Sequence, residues 1–236
     1  MDRVLEICVD DLEGLEAAVE GGADRIELCS ALSLGGLTPS PGLMVEAAAT
    51  QIPVTAMIRP RSGGFEWCDR ELAAMETEIV AASEAGLAGI VIGALDGDAL
   101  DLSALRILTR AAEGLDITLH RCVDLLSDPL TAVDQAADLG ISRILSSGGA
   151  LRAADGIDRL KAMQDRAGER LVIMPGSGIS PATLPALLTA LDPVEVHASA
   201  SAPAPTDAKL AKFGFQEACA RRTDAATVAA LRALLD

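Results

Sequence analysis

The sequence predicts a single (β/α)8 barrel, the TIM-barrel form of the α/β class, and three observations support this prediction. The 236 residues suit one α/β barrel, and 50% of them are hydrophobic, which is enough for a large core. Eight short apolar runs recur along the chain, each followed by a segment with a helical pattern, which is typical of buried parallel strands. No GxGxxG motif follows the first run, so the alternative of a doubly wound open sheet is less favoured.

The eight predicted strands are short and rich in Val, Ile and Leu. They are VLEIC from Val4, RIEL from Arg25, VTAMI from Val54, GIVIG from Gly89, ITLH from Ile117, RILS from Arg143, LVIM from Leu171 and VEVH from Val194. In a barrel these strands all run parallel, and a helix follows each of them.

Cap residues predict where several helices begin and end. Three pairs predict an N-cap followed by Pro at the first helical position: Ser40–Pro41, Asp128–Pro129 and Ser180–Pro181. Glycines predict left-handed C-terminal caps at Gly21–Gly22, Gly86 and Gly140. A last helix is predicted over about Asp224–Leu235. The Ala/Pro-rich start of segment 198–223 predicts an irregular loop after the eighth strand, within one domain that covers residues 1–236.

Composition restricts the partners. A net charge of -16 argues against nucleic acid or an anionic membrane, because binding to phosphate requires clustered Lys and Arg. The amino-terminal residues MDRVLEICVDDLEG lack a secretion-signal pattern, and no apolar run is long enough to span a bilayer, so a cytoplasmic protein is expected. The five cysteines, an odd number without a CxxC pair, disfavour a disulfide framework and a zinc ribbon.

Polar side chains recur within the predicted strands and at their ends. Because alternate residues of a strand share a face, five sets are expected to point the same way: Glu6 with Cys8, Glu27 with Cys29, Thr55 with Met57 and Arg59, Thr118 with His120, and Glu195 with His197. The active sites of such barrels lie at the C-terminal ends of the strands. We therefore expect these groups to converge at one mouth.

The two histidines and two of the glutamates are the strongest candidates for chemistry. His120 and His197 are the only histidines of the chain, and both fall at predicted strand ends. Glu6 and Glu27 lie inside apolar strands, where a buried carboxylate needs a partner. These glutamates are therefore either functional groups or halves of structural ion pairs.

Arginines follow the third and fifth predicted strands. Arg59 and Arg61 belong to MIRPRSGG, while Arg121 and Asp124 belong to HRCVD. Arginine is suited to bidentate binding of a carboxylate or phosphate. Arg59 or Arg121 would also supply the partner if the buried glutamates form structural ion pairs.

Two glycine-rich loops follow the sixth and seventh strands. SSGGA contains Ser147, Gly148 and Gly149, and PGSGIS contains Gly176 and Gly178. The backbone N–H groups of such loops can hold an anion. Short glycine-rich loops are also common connectors in this fold, so both interpretations are open.

Seven segments of the chain occur in the same order in one known family. They are GADRIELCSALSLGGLTPSPG, IPVTAMIRPRSGGF, VIGALDGDALD, LHRCVD, RILSSGGA, IMPGSGI and EVHASA. From about Leu5 to Ala200 the chain thus resembles the copper homeostasis protein CutC family. The resemblance implies a (β/α)8 barrel, a cytoplasmic location, a homo-oligomer and copper handling in which cysteines bind copper(I).

Copper homeostasis is the first of three functions that the residues allow. Cys8 and Cys29 lie on neighbouring strands, with Met57 on the next strand, and these soft ligands suit copper(I). The alternative is that both cysteines pack as small buried hydrophobic residues.

The second function is that of an isomerase, lyase or hydrolase that acts on a small anionic, sugar-like substrate by acid–base chemistry. The third is that of a non-catalytic binding barrel. The candidate catalytic residues are Glu6, Glu27, His120, Asp124 and His197. The candidate ligand-binding residues are Arg59, Arg61, Arg121, Ser147, Gly148, Gly149, Gly176 and Gly178. A divalent cation held by Glu27, His120 and His197 is a further variant, because carboxylate and imidazole suit zinc or manganese.

Overall fold

The structure is a computed structural model that describes residues 3–236, and its main feature is one sheet of eight parallel strands. We number these strands β1 to β8: Val4–Val9, Arg25–Leu28, Val54–Met57, Gly89–Ile92, Asp116–Leu119, Arg143–Ser146, Val172–Pro175 and Glu195–Ala198. Each predicted apolar run contributes one of them, so the prediction of a TIM barrel is confirmed.

The sheet closes almost completely on itself. Its strand order is β8-β1-β2-β3-β4-β5-β6-β7, so the last strand of the chain pairs with the first. The strands β7 and β8 approach closely where β7 ends, since a Cβ placed on Gly176 would lie 3.4 Å from Cβ of His197. Pairing of the last strand with the first closes a barrel, and it excludes the doubly wound alternative.

Helices surround the sheet. In chain order they are α1 Leu12–Glu20, α2 Pro41–Ala48, α3 Asp69–Glu84, α4 Leu102–Ala111, α5 Pro129–Asp138, α6 Ile157–Ala167, α7 Leu184–Leu191, α8 Ala208–Lys212 and α9 Ala225–Leu235. The predicted last helix is α9. Gly22, Gly86 and Gly140 have φ angles of 87°, 84° and 74°, which confirms left-handed caps at these positions.

Two of the three predicted N-caps are confirmed. Ser40 caps α2 and Asp128 caps α5, because each side chain accepts hydrogen bonds from amides of the first helical turn. The prediction at Ser180 is wrong, since residues 181–183 form a turn and α7 begins only at Leu184. Ser180 and Thr183 each accept a hydrogen bond from the other's amide, so this pair closes the turn and delays the helix.

Alternation along β1 separates the core from the site. Leu5, Ile7 and Val9 are fully buried and belong to the hydrophobic core that the sheet shares with the helices. The intervening residues Glu6 and Cys8 are also buried, and they point to the other face, which is the barrel interior. Burial on both faces explains why the strands appear in the sequence as nearly continuous apolar runs.

The segment after β8 is more ordered than predicted. Residues 201–203 pair antiparallel with residues 221–223, and α8 lies between these short strands. The two strands are only three residues long, so the sequence offers no detectable strand period. Within residues 3–236, no helix combines the length and the apolar character needed to cross a bilayer.

Candidate metal and ligand site at the barrel mouth

A cavity of about 880 Å³ opens at the C-terminal ends of the strands. Eight predicted site residues line it: Cys8, Glu27, Arg59, His120, Arg121, Asp124, Gly178 and His197. Among the described residues, seven other predicted ones do not line it: Glu6, Cys29, Arg61, Ser147, Gly148, Gly149 and Gly176. The expected convergence at one mouth therefore holds for most of the titratable groups.

His197 at the end of β8 lies between two carboxylates from neighbouring strands. Its Nδ1 is 2.8 Å from Oε1 of Glu6, and its Nε2 is 3.7 Å from Oε2 of Glu27. The strand register places Glu6 beside His197, and Cys8 beside Glu27. Because Glu6 holds Nδ1, the ring presents Nε2 toward the cavity wall formed by Cys8 and Glu27.

Cys8, Glu27 and His197 form the described group with potential metal-ligand geometry. One ligand atom from each residue lies within 4.8 Å of the other two, and all three residues are buried. The pairing of Nδ1 with Glu6 is typical of metal-binding histidines, whose second nitrogen is usually held by a carboxylate. Thiolate, imidazole and carboxylate together suit a soft or borderline cation.

The pKa values of this group reflect burial and mutual charge. Burial raises the pKa of Glu27 above its usual value, although the charge of His197 opposes the shift. Burial alone would lower the pKa of His197, but the charge of Glu27 and the hydrogen bond with Glu6 raise it well above its usual value. Burial likewise raises the pKa of Glu6, but the hydrogen bond with His197 and the charge of Arg25 bring it down to about 2.

Cys29 lies next to this group but outside it. Its Sγ is 3.7 Å from Oε2 of Glu27, and the side chain packs with Met57 and Val91. Burial raises the pKa of the Cys29 thiol well above its usual value. The structure thus links Cys29 to Glu27 as a thiol donor, and the predicted Cys8–Cys29 metal pair stays a prediction.

Glu6 has a different ion-pair partner from the one expected. Arg25, at the start of β2, donates from Nε to Glu6 at 2.5 Å and also contacts Glu195. Arg143 at the start of β6 pairs with Glu195 at 2.9 Å and with Asp116 at 2.6 Å. The expectation that Arg59 or Arg121 would pair with a buried glutamate is wrong, because these two arginines follow their strands whereas Glu6 lies level with the start of β2.

Arg59 is held by the backbone rather than by a carboxylate. Its terminal nitrogens donate to the carbonyls of Leu34, Gly36 and Gly63 at 2.8–3.1 Å. Its Nε is buried and has no hydrogen-bond partner. Three of the four N–H groups on the terminal nitrogens are thus used, which leaves no symmetric pair for the bidentate anion binding expected from the sequence, whereas Nε–H is free.

Asp124 lines the cavity and organises the loop after β6. It pairs with Arg121 at 2.8 Å and accepts hydrogen bonds from the amides of Ser147 and Gly149 at 3.0 Å. The amide of Gly148 donates to the hydroxyl of Ser146. This corrects the expectation that these glycine amides hold an anion, since all of them have internal acceptors.

Close packing explains two of the predicted glycines. A Cβ on Gly148 would lie 2.3 Å from the carbonyl oxygen of Gly156. A Cβ on Gly176 would lie 2.5 Å from Leu145, and its amide donates to Ser146. These glycines fit the connector interpretation, because a larger residue would push the loops apart.

Arg61 belongs to a separate part of the surface. It pairs with Glu71 at 2.5 Å and stacks 4.7 Å from the ring centroid of Trp67. It lines a smaller cavity of about 420 Å³ together with Phe65 and Leu125. The predicted role of Arg61 in the main site has no geometric support.

Sequence reasoning missed Arg25 and Arg143 beneath the site and Arg152 and Arg221 on its wall. Arg25 and Arg143 are each the first residue of a strand. The sequence alone does not distinguish a buried first residue of a strand from an exposed one. Arg221 lies in the segment expected to be irregular, and only the fold brings it to the mouth.

Fold and site together define a TIM-barrel protein with a buried thiol, imidazole and carboxylate at the mouth of the barrel. The model of the CutC family matches residues 3–202, and the chain belongs to this family. A CutC family protein of Rhizobium meliloti is 52% identical over 100% of this chain and 98% of its own length. One from Vibrio vulnificus is 42% identical over 95% of this chain and 91% of its own length.

Solved structures agree with the fold. A CutC protein of Streptococcus agalactiae that is named for copper homeostasis superposes with a TM-score of 0.79 and 32% identity, covering 84% of this chain and 98% of its own. Phosphoribosylanthranilate isomerase of Thermotoga maritima superposes with a TM-score of 0.61 at 12% identity, covering 99% of this chain and 98% of its own. At that identity the second likeness shows only a shared barrel.

Proposed function

We propose that this protein binds copper(I) as cargo through Cys8 and His197, with Glu27 completing the site. The observation that carries the proposal is the orientation of His197, whose Nδ1 is held by Glu6 while Nε2 faces Cys8 and Glu27. The name of the family supports copper as the ion. Cytoplasmic location and homo-oligomerisation are further proposals, and the family resemblance supports both.

The donor set fits this ion. Thiolate and imidazole are ligands that copper(I) accepts readily, and zinc is the competitor for the same set. Oε1 of Glu27 is buried without a hydrogen-bond partner. A bound cation would satisfy that oxygen.

An anaerobic copper(I) titration against a chromogenic chelator tests the proposal. Cys8→Ser and His197→Gln should each weaken copper(I) binding strongly, because each removes a direct ligand. Glu6→Gln should weaken it by about 10- to 100-fold, which is typical for loss of the group that orients a metal-bound histidine. A parallel zinc titration establishes which ion the site prefers.

Two cysteine variants sharpen the result. Cys29→Ser separates the group of Cys8, Glu27 and His197 from the alternative Cys8–Cys29 pair, because only the pair requires the second thiol. Cys219→Ser is the matched control, since Cys219 is an exposed free thiol that does not line the cavity. Copper(I) affinity that is unchanged in both Cys8→Ser and His197→Gln would refute the proposed site.

A further inference from the structure

Three buried side-chain atoms of the described residues have no hydrogen-bond partner: Oε1 of Glu27, Nε of Arg59 and Nε2 of His120. All three residues line the main cavity. Unsatisfied buried polar groups are rare, and each calls for a partner such as a ligand. The cation proposed above would satisfy Glu27, but not Arg59, which is itself a cation, or His120, which lies outside the group of metal-ligand residues.

His120 presents a hydrogen-bond donor. Its Nδ1 lies 3.1 Å from the amide nitrogen of Cys122 and accepts its N–H, so Nδ1 carries no proton. His120 is only 4% exposed and lies next to the guanidinium of Arg59, and these surroundings keep its ring neutral. A neutral ring without a proton on Nδ1 carries it on Nε2, which is the unpartnered atom.

Arg59 presents a second donor to the same region. The ring of Phe65 contacts both side chains, with its centroid 4.9 Å from Cζ of Arg59 and 4.8 Å from the ring centroid of His120. The terminal nitrogens of Arg59 are occupied by carbonyls, so its position is fixed and Nε–H remains free. Two fixed N–H donors, one of them cationic, suit an anionic or carbonyl oxygen.

The rim of the cavity adds positive charge. Arg152 and Arg221 line it, and neither forms an ion pair with a carboxylate among residues 3–236. The stem of Arg152 lies across Gly178, where a Cβ would come within 2.9 Å of Arg152 Cγ. These two arginines place positive charge at the rim of a chain whose net charge is -16, and they favour an anionic group there.

We propose that the cavity binds a small organic anion, with a carboxylate or carbonyl oxygen held by Nε–H of Arg59 and Nε2–H of His120 and a second anionic group near Arg152 and Arg221. Organic acids and phosphorylated sugars share this chemistry. The site uses different residues from the proposed copper ligands, so each can fail without the other.

Isothermal titration with four probes tests binding: citrate and malate for the organic acids, ribose 5-phosphate and glucose 6-phosphate for the sugars. At least one probe should bind with a dissociation constant of about 1 mM or tighter. Inorganic phosphate should bind more weakly than the best probe, since it reaches only one of the two subsites. Failure of all four probes would overturn the proposal.

Variants of His120 and of the rim test the geometry. His120→Leu removes the donor and should weaken the best probe by about tenfold or more, whereas His120→Gln keeps an N–H group and should restore part of the affinity. Arg152→Gln should weaken binding by about two- to fivefold, and Arg106→Gln, an exposed arginine on α4, should have no effect. Copper(I) affinity should stay the same in all of these variants.

Nuclear magnetic resonance measures the signals of the His120 ring directly. If His120 had only a structural role, addition of a ligand would not change these signals. With only two histidines in the chain, ¹⁵N-histidine labelling resolves both rings. Addition of the binding probe should shift the Nε2–H signal of His120 more than any ring signal of His197. Equal affinity for His120→Leu and wild type, or an unmoved His120 signal, would contradict the proposal.

Discussion

His120 and His197 are the same residue type at equivalent strand ends, yet their surroundings impose opposite protonation states. Burial and the neighbouring charge of Arg59 lower the pKa of His120 to about 3. His197 is equally enclosed, but the carboxylates of Glu6 and Glu27 raise its pKa well above the usual value. The neighbours, rather than the shared position, therefore decide the charge of each ring.

The first residue-scale prediction is that neither ring of the metal-free protein titrates near the usual histidine pKa of about 6.5. His120 should give the spectrum of a neutral ring protonated at Nε2, and His197 that of a charged ring. A ¹⁵N-histidine titration measures both directly, with the unfolded protein in urea as the reference. A midpoint between about pH 6 and pH 7 for either folded ring would contradict the prediction.

The same shifts determine the direction of the pH dependence of stability. The pKa of His120 is lower in the folded protein than in the unfolded chain. The stability that its neutral ring contributes is therefore lost as the pH falls from about 6.5 towards 3, because in this range only the unfolded chain binds the proton. The folded pKa of His197 is raised, so its contribution is present below about 6.5 and is lost as the pH rises through the folded value. Glu6, with a pKa of about 2, loses its contribution as the pH falls from about 4.3.

At the scale of single elements, the end of β4 shapes the site through the absence of a side chain. A Cβ on Gly93 would lie 2.2 Å from Cε1 of His120 and 2.6 Å from Sγ of Cys122. The Gly93 carbonyl also accepts a hydrogen bond from the indole of Trp67 at 2.9 Å. Only glycine lets the His120 ring occupy its observed place between β4 and Phe65.

We therefore predict that Gly93→Ala displaces the His120 ring and destabilises the fold by about 1–3 kcal/mol, as overpacking of a core does. Urea denaturation measures the free energy of unfolding, and the His120 signals report the displacement. Gly42→Ala is the control, because nothing lies within 4 Å of a Cβ there and Gly42 lies within α2. This control should be neutral or slightly stabilising. A Gly93→Ala protein with wild-type stability and unchanged His120 signals would refute the steric argument.

At the scale of the whole molecule, the sequence predicted the architecture of the barrel better than the ion pairs and hydrogen bonds between its buried polar side chains. Strand number, barrel closure and the mouth position of His120 and His197 follow from local patterns, because each buried strand is a short apolar run. The partner of Glu6 could not be predicted that way, since it depends on the register between β1 and β2. Likewise, Asp124 looked like a ligand-site acid, and only the fold shows it closing the loop after β6.

Charged residues of the barrel interior form one connected network of ion pairs across the barrel. It runs from His197 through Glu6, Arg25, Glu195 and Arg143 to Asp116. These residues come from β8, β1, β2, β6 and β5, so the network joins strands on opposite sides of the barrel axis. Arg25 is its centre, because it contacts both Glu6 and Glu195.

Arg25→Met therefore leaves two buried carboxylates without their shared cation. Removal of one partner of a buried ion pair typically costs about 3–5 kcal/mol, so the free energy of unfolding should fall by that order in a urea titration. The pKa of Glu6 should rise once the charge of Arg25 is gone, which weakens its hold on His197 and lowers copper(I) affinity. Arg166→Met breaks the exposed pair with Asp134 and should cost far less. If both variants lost stability equally, the network would contribute no more to the free energy of unfolding than an ordinary surface ion pair.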